Sequence, residues 1–320
     1  MNETLQRVYE IGIIPVIAIE DAAQAVPLAR ALVAGGLPAA EITFRTAAAE
    51  DAIRAIVKEV PEMLVGAGTV LTCEQADRAM AAGASFIVAP GYDPNVTQHV
   101  IDKGGIMMPG TASAGEMQQA MNQGCETLKF FPAEANGGVA MLKNIGAALK
   151  SAKWMCTGGV SAKNVNDYLG YDQIVAVGGT WMCKSELIKA GRWDEISALC
   201  KEAVRTMLGF ELAHVGVNCE NEGEAEATAK ALCALFGFDY KAGNSSIFAG
   251  KAVECMKKPG RGKNGHIAIG TNSVDRAAYH LGRQGVEFLE ESRMVDAKGR
   301  TKAIYFKQEL SGFAIHLVQK

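Results

Sequence analysis

Lys129 stands inside the short apolar run Thr127-Leu128-Lys129-Phe130-Phe131-Pro132, whose residue types suit a buried β-strand. Removing an ammonium from water disfavours its charged form, and the neutral amine that results is a nucleophile. Amines of this kind attack ketones to form Schiff bases, which turn a poor carbanion into a stabilised enamine. The position also suits an edge lysine whose stem lies on apolar surface while its head reaches water. A second run, Ala40-Glu41-Ile42-Thr43-Phe44-Arg45, reads as another strand, with Glu41, Thr43 and Arg45 on one face by the two-residue period. The same alternation puts Thr127, Lys129 and Phe131 together, so a carboxylate, an arginine and a lysine can converge. An internal salt bridge between Glu41 and Lys129 or Arg45 is the purely structural reading. Desolvation offsets most of the attraction in such a buried cluster, so stability alone is a weak reason for it.

Two further segments carry paired glycines: Thr157-Gly158-Gly159-Val160-Ser161 and Val177-Gly178-Gly179-Thr180. Paired glycines let backbone N–H groups approach an anion closely, although each pair alone also suits a plain turn.

The elements that must hold these residues follow one repeating pattern from Ile13 to about Leu208: a β-rich run, a turn, then an amphipathic helix. The expected strands are Ile14 to Ile19, Ala40 to Phe44, Met63 to Ala67, Phe86 to Ala89, Ile106 to Met108, Thr127 to Phe131, Trp154 to Thr157 and Ile174 to Val177. Helical patterns such as Ala22 to Ala34, Ala47 to Lys58 and Val139 to Lys150 lie between them. Eight such units close most naturally into an α/β (β/α)8 TIM barrel. In that fold the glycine pairs follow strands seven and eight, where barrels commonly place a phosphate. An open doubly wound sheet competes, but no G-x-G-x-x-G follows the first strand.

Beyond the closing helix at Arg192 to Leu208 the texture changes, dividing the chain into a barrel domain over 1–209 and a second over 210–320. Strand Phe210 to Asn218, helix Gly223 to Phe236 and short strands over Phe238 to Met256 are followed by the same order: strand His266 to Gly270, helix Ser273 to Gln284, then short strands to Val318. Two βαβββ halves form a smaller α+β domain, with the turn Gly260-Arg261-Gly262 between them. Of five histidines, His214 and His266 open the first strands of the two halves, while Glu254 and His316 lie in their last strands. His99 and His280, on helical patterns, read as surface residues.

The formal net charge of −3 points to neither nucleic acid nor anionic membrane as a partner. No leader pattern and no apolar run of about 18 residues occurs, so a cytoplasmic protein is expected. Eight cysteines without a C-x-x-C pair read as reduced, mostly buried thiols.

The motifs Glu41-Ile-Thr-Phe-Arg45-Thr, Gly66-Ala-Gly-Thr69-Val, Ala89-Pro90-Gly91, Met108-Pro-Gly-Thr111, Leu128-Lys129-Phe-Phe131-Pro-Ala-Glu134, Thr157-Gly-Gly and Gly178-Gly-Thr180-Trp together resemble the 2-keto-3-deoxy-6-phosphogluconate / 4-hydroxy-2-oxoglutarate aldolases, over roughly residues 5 to 208. The resemblance implies a homotrimeric barrel that needs no cofactor, binds a small 2-keto acid and pyruvate, and uses Lys129 as Schiff-base lysine with Glu41 as general acid/base. It further implies that Arg45 and Thr69 hold the pyruvyl carboxylate, that Pro90 and Phe131 shape the pocket, and that Thr157, Gly158, Gly159, Gly179 and Thr180 face the distal end. A serine is usual where Thr180 stands, and a proline where Cys156 stands. A phosphosugar isomerase or decarboxylase on the same barrel also suits the glycine pairs, but leaves Lys129 without a role. The second domain resembles the glyoxalase-like vicinal oxygen chelate superfamily, through Gly265-His266-Ile-Ala-Ile-Gly and Ala314-Ile-His316-Leu-Val. That resemblance implies one divalent metal on His214, Glu254, His266 and His316, although a glutamate is usual at the last position. Lyase, isomerase or dioxygenase chemistry, or a metal-free sensing module, all fit it.

Overall fold

The computed structural model describes residues 2–320, which form two compact units, one ending at Met207 and the other spanning Leu208–Lys320. In the first unit, strands β1 (Ile13–Ile17), β2 (Ala39–Thr43), β3 (Leu64–Gly68), β4 (Phe86–Val88), β5 (Met107–Met108), β6 (Gly110–Thr111), β7 (Leu128–Phe130), β8 (Trp154–Thr157) and β9 (Ile174–Gly179) alternate with helices. Their order in the sheet is β5-β4-β3-β2-β1-β9-β8-β7-β6, and every pairing is parallel. The two ends of that order, β5 and β6, are consecutive in the chain and separated only by Pro109. They are one strand position divided at a residue with no N–H to give the ladder, so the sheet closes as an eight-position TIM barrel.

Every residue of these strands is buried, as expected when helices cover the outside and side chains fill the inside. Local chemistry sets the helix starts. Ser113 and Glu116 form a reciprocal capping box at Ala114–Asn122, and Asp93 caps Pro94–Asp102 by accepting from the Asn95 and Val96 amides. Several strand ends differ from those the pattern suggests. β2 stops at Thr43, leaving Phe44 and Arg45 in the following turn; β7 excludes Thr127 and Phe131; β9 runs on through Gly178 and Gly179.

The second unit is an eight-stranded sheet built from β10 (Glu211–Asn218), β11 (Tyr240–Ala242), β12 (Ser246–Ala249), β13 (Val253–Met256), β14 (Gly265–Thr271), β15 (Phe288–Val295), β16 (Thr301–Phe306) and β17 (Phe313–Gln319). The order β11-β12-β13-β10-β14-β17-β16-β15 reads as the same half twice, back to back. Each half pairs its first and last strands in parallel, β10 with β13 and β14 with β17, and the halves meet through antiparallel β10 and β14. Helix Glu222–Phe236 packs Ala225 and Ala229 into a small core with Ile247, Ala249 and Cys255. His280, expected at the surface, is 3% exposed on Val274–Gly282, because it falls on the stripe of that helix that also buries Val274 and Ala277. His99 is half-buried and bonds Asp77 at 2.8 Å.

Candidate active site

In the barrel, Lys129 Nζ donates to Glu41 Oε1 at 3.1 Å across 88 residues of sequence. The lysine is 5% exposed and the glutamate 0%. β2 and β7 are not neighbours in the sheet, so the contact crosses the barrel interior, as inward-facing positions on separate strands allow. Glu41 Oε2 has no hydrogen-bond partner although it is buried. Gly68 makes room for this carboxylate: a Cβ there would lie 2.2 Å from Glu41 Oε1. Gly68 has no side chain to mark it as part of the site in the sequence. A glycine inside a strand pattern, which signals close approach, was the available clue.

Lys129 opens onto a cavity of about 370 Å³. Arg45, Thr69, Pro90, Phe131, Thr157, Gly158, Gly159, Gly179 and Thr180 line it with Lys129, whereas Glu41, fully buried, is not part of the wall. Val16, Val160 and Gly178, the first glycine of the second pair, complete the lining; neither valine has a role assigned from the sequence. Arg45 reaches the pocket from the turn after β2 rather than from the strand itself, and is exposed. Thr69 has φ +55°, in the left-handed region that a β-branched residue rarely enters. Such a conformation costs on the order of 1–3 kcal/mol and concentrates at functional sites. The Lys129 ammonium position lies 5.3 Å from the Phe131 ring centroid, so one face of the amine is apolar.

At the far wall, Thr157 Oγ1 is buried without a partner, and Gly158 and Gly159 have φ +101° and +83°. A Cβ on Gly178 would lie 2.4 Å from Thr157 Oγ1, so the glycine in β9 lets the hydroxyl occupy its place. An arginine, an amine and a glycine-lined stretch with an unsatisfied hydroxyl thus share one cavity. Such a set suits a 2-keto acid with a second anionic group.

A closed parallel barrel holding a buried amine paired with a carboxylate is the class that this fold and site define. The family model for KDPG and KHG aldolase matches residues 5–199, and the chain belongs to that family. The 2-dehydro-3-deoxy-phosphogluconate aldolase of Treponema pallidum is 42% identical over 203 residues, covering 63% of this chain and 95% of that protein. The solved structure of KDPG aldolase from Legionella pneumophila, with pyruvate captured at low pH as a covalent carbinolamine intermediate, is 37% identical with a TM-score of 0.60, over 62% of this chain and 97% of that one. The aldolase of Zymomonas mobilis ZM4 with 3-phosphoglycerate is 38% identical with a TM-score of 0.58, over 62% and 94%.

The second unit holds its own cluster. Register places His214 on β10, Glu254 on β13, His266 on β14 and His316 on β17 on one face of the sheet, with Gly216 directly between Glu254 and His266. His214 is the fourth residue of its strand rather than the opening one. A Cβ on Gly216 would lie 2.0 Å from His266 Cε1, so this glycine lets the imidazole lean across the strand. His266 Nε2 stands 3.0 Å and His214 Nε2 3.2 Å from Glu254 Oε2, and ligand atoms of the three histidines lie within 4.8 Å of one another. Burial raises the Glu254 carboxyl, but hydrogen bonds from His214, His266 and Ser246 outweigh it and hold the group well below the usual carboxylate range. Burial, then the neighbouring His266 and His214, push His316 down to about 4, and neither of its ring nitrogens has a hydrogen-bond partner. A buried neutral imidazole with no partner, facing two more and a carboxylate, fits a divalent metal.

Proposed function

We propose that the chain is a class I aldolase that cleaves 2-keto-3-deoxy-6-phosphogluconate to pyruvate and glyceraldehyde 3-phosphate, and 4-hydroxy-2-oxoglutarate to pyruvate and glyoxylate. The observation that carries this reading is the buried Lys129, paired with Glu41 and opening onto the cavity, in a chain of this family. The amine form of Lys129 attacks the C2 ketone, and loss of water from the carbinolamine leaves an iminium. Glu41, buried and not on the cavity wall, takes the proton of the C4 hydroxyl through a water as the C3–C4 bond breaks and the aldehyde departs. The electron pair of that bond remains as the enamine of pyruvate. Protonation at C3 and hydrolysis of the imine then free pyruvate and the lysine. Arg45 and Thr69 hold the substrate carboxylate, and Pro90 and Phe131 bound the reacting carbons. Thr157, Gly158, Gly159, Gly179 and Thr180 receive the distal end. Incubation with pyruvate and borohydride, followed by peptide mapping, is expected to yield a reduced adduct on Lys129; no adduct there would refute the mechanism.

The unpartnered Thr157 hydroxyl predicts which end binds phosphate. Thr157→Val preserves volume and removes one hydrogen bond to a charged ligand, so KM for the phosphorylated substrate should rise about tenfold, while the unphosphorylated 2-keto-3-deoxy acid is affected little. Steady-state kinetics on both substrates checks this.

The barrel's family resemblance supports a homotrimer working in the cytoplasm. The free thiols of all eight cysteines accord with a reducing compartment, and among the described residues no helix is long and apolar enough to cross a membrane. The second unit is read as a glyoxalase-like module over 210–320 that holds a divalent metal on His214, Glu254, His266 and His316, after a barrel domain over 1–209. A metal there supplies a Lewis acid that polarises a ligand oxygen. His266→Ala should reduce bound Co(II) or Mn(II) from one equivalent per chain to background after chelation and reloading; equal metal content in both proteins would dismiss the centre.

A further inference from the structure

Glu134 closes the motif that carries Lys129, yet the mechanism gives it no part. It is exposed, and its side chain lies against the first glycine pair: a Cβ on Gly159 would stand 2.4 Å from Glu134 Cγ. Its carboxylate ends on Tyr168 of helix Val165–Leu169, whose hydroxyl donates to Glu134 Oε1 although the residue is only 1% exposed. Gly138, at φ +58°, leaves the space for that bond, since a Cβ there would crowd both partners, at 3.1 Å from Glu134 Oε1 and 3.3 Å from Tyr168 Oη. Burial first, and then the carboxylate, push the Tyr168 hydroxyl well above the ordinary phenol range, so it stays a donor at any working pH.

The same neighbourhood holds the backbone of the pair. Ala133 N donates to Thr157 O at 2.8 Å, Glu134 N to Gly158 O at 3.0 Å and Asn164 Nδ2 to Gly159 O at 3.2 Å. None of these three residues lines the cavity. Asn164 is held in turn, with Oδ1 accepting from Ser161 N at 2.8 Å. Among the described residues no acceptor takes the N–H of Gly158, Gly159 or Val160. The carbonyls of the turn are thus engaged by residues off the wall, and its amides are left for a ligand. Two successive glycines bring the least conformational restraint of their own, so the shape of the turn has to come from what packs on it.

We propose that Glu134 and Tyr168 are positioning residues for the distal end of the substrate: their hydrogen bond braces the side chain beside Gly159 and so fixes the free amides of the turn for an anionic tail. The inference rests on the aldolase reading above, with phosphate at that end. The Glu134 carboxylate has the wrong sign to attract a phosphate, so its contribution is geometric.

Steady-state kinetics on 2-keto-3-deoxy-6-phosphogluconate and on unphosphorylated 2-keto-3-deoxygluconate test this. Tyr168→Phe keeps the packed ring and deletes the donor, and Glu134→Ala removes the acceptor. Each should raise KM for the phosphorylated acid about tenfold, with kcat and the kinetics of the unphosphorylated acid within about twofold of wild type. Glu134→Gln keeps an oxygen for Tyr168 and sheds the charge, so its KM should return to within about twofold of wild type. The double variant Glu134→Ala/Tyr168→Phe should be no worse than the worse single one, because the same bond is lost in each. Equal losses on both substrates, with a lower melting temperature, would make the pair a prop of the fold alone and overturn the proposal. A KM well below wild type in Glu134→Gln would overturn it too, by showing the carboxylate to be a repelling charge. Variants indistinguishable from a wild type that prefers the phosphorylated acid would sink this inference and spare the aldolase. Wild type that cleaves both acids without preference would remove phosphate from this end, and wild type that cleaves neither would end the aldolase reading itself.

Discussion

Lys129→Met is expected to reduce carbon–carbon cleavage by about 10⁴-fold or more, because no neighbouring group replaces a nucleophile whose covalent bond to substrate defines the route. The loss should appear in kcat rather than KM, since the carboxylate and distal ends of the pocket remain. Methionine keeps the length of the stem in an apolar slot, but it leaves Glu41 buried without its partner, which costs on the order of 3–5 kcal/mol if the carboxylate stays charged. A melting measurement on Lys129→Arg separates the two effects. Arginine retains a cation near Glu41 and should melt closer to wild type, yet it forms no Schiff base and should be equally inactive. Cleavage within tenfold of wild type in either protein would end the Schiff-base reading.

Glu41→Gln is expected to lower turnover by about 10²–10⁴-fold, the range that general acid/base groups contribute. Glutamine fills the space that Gly68 leaves open and can still bond Lys129, but it cannot take the C4 hydroxyl proton or return one to C3. The amine remains, so borohydride in the presence of pyruvate should still label Lys129, more slowly. Labelling without turnover distinguishes a lost proton carrier from a collapsed site. Exchange of the pyruvate methyl protons with deuterated solvent, followed by NMR, isolates the same step and should slow in parallel. Exchange at the wild-type rate would place the proton on another group.

The second unit shows how far one-dimensional reading reaches. The repeated βαβββ order and the strand positions of the histidines are visible from spacing, while the grouping of the four cluster residues is what the resemblance to the glyoxalase-like superfamily implies. Their convergence depends on Gly216, which has no side chain to attract notice and whose role appears only when His266 is seen leaning over it. Arg261 sits in what reads as a plain turn. Asn218 bonds Gly260 and Gly262 on either side of it, across 42 and 44 residues of sequence, and so sets its place over the Tyr305 ring; no local pattern links them. His280 misled for a related reason. A histidine on an amphipathic helix lies near the boundary between faces, and the packing of neighbouring elements decides which side it falls on.

In the barrel the eight-unit alternation, the inward face of β2 and the lysine in an apolar strand are properties of residue type and period, and the chain's order of elements alone specifies them. Strand ends are not. Arg45 left the strand and the second glycine pair joined one, differences of one or two residues at element ends that residue type and period do not fix. Period tells which way a side chain points but not how far apart two inward-pointing groups will stand. Only closure of the sheet, with β5 and β6 meeting at Pro109, brings Glu41 to 3.1 Å from Lys129.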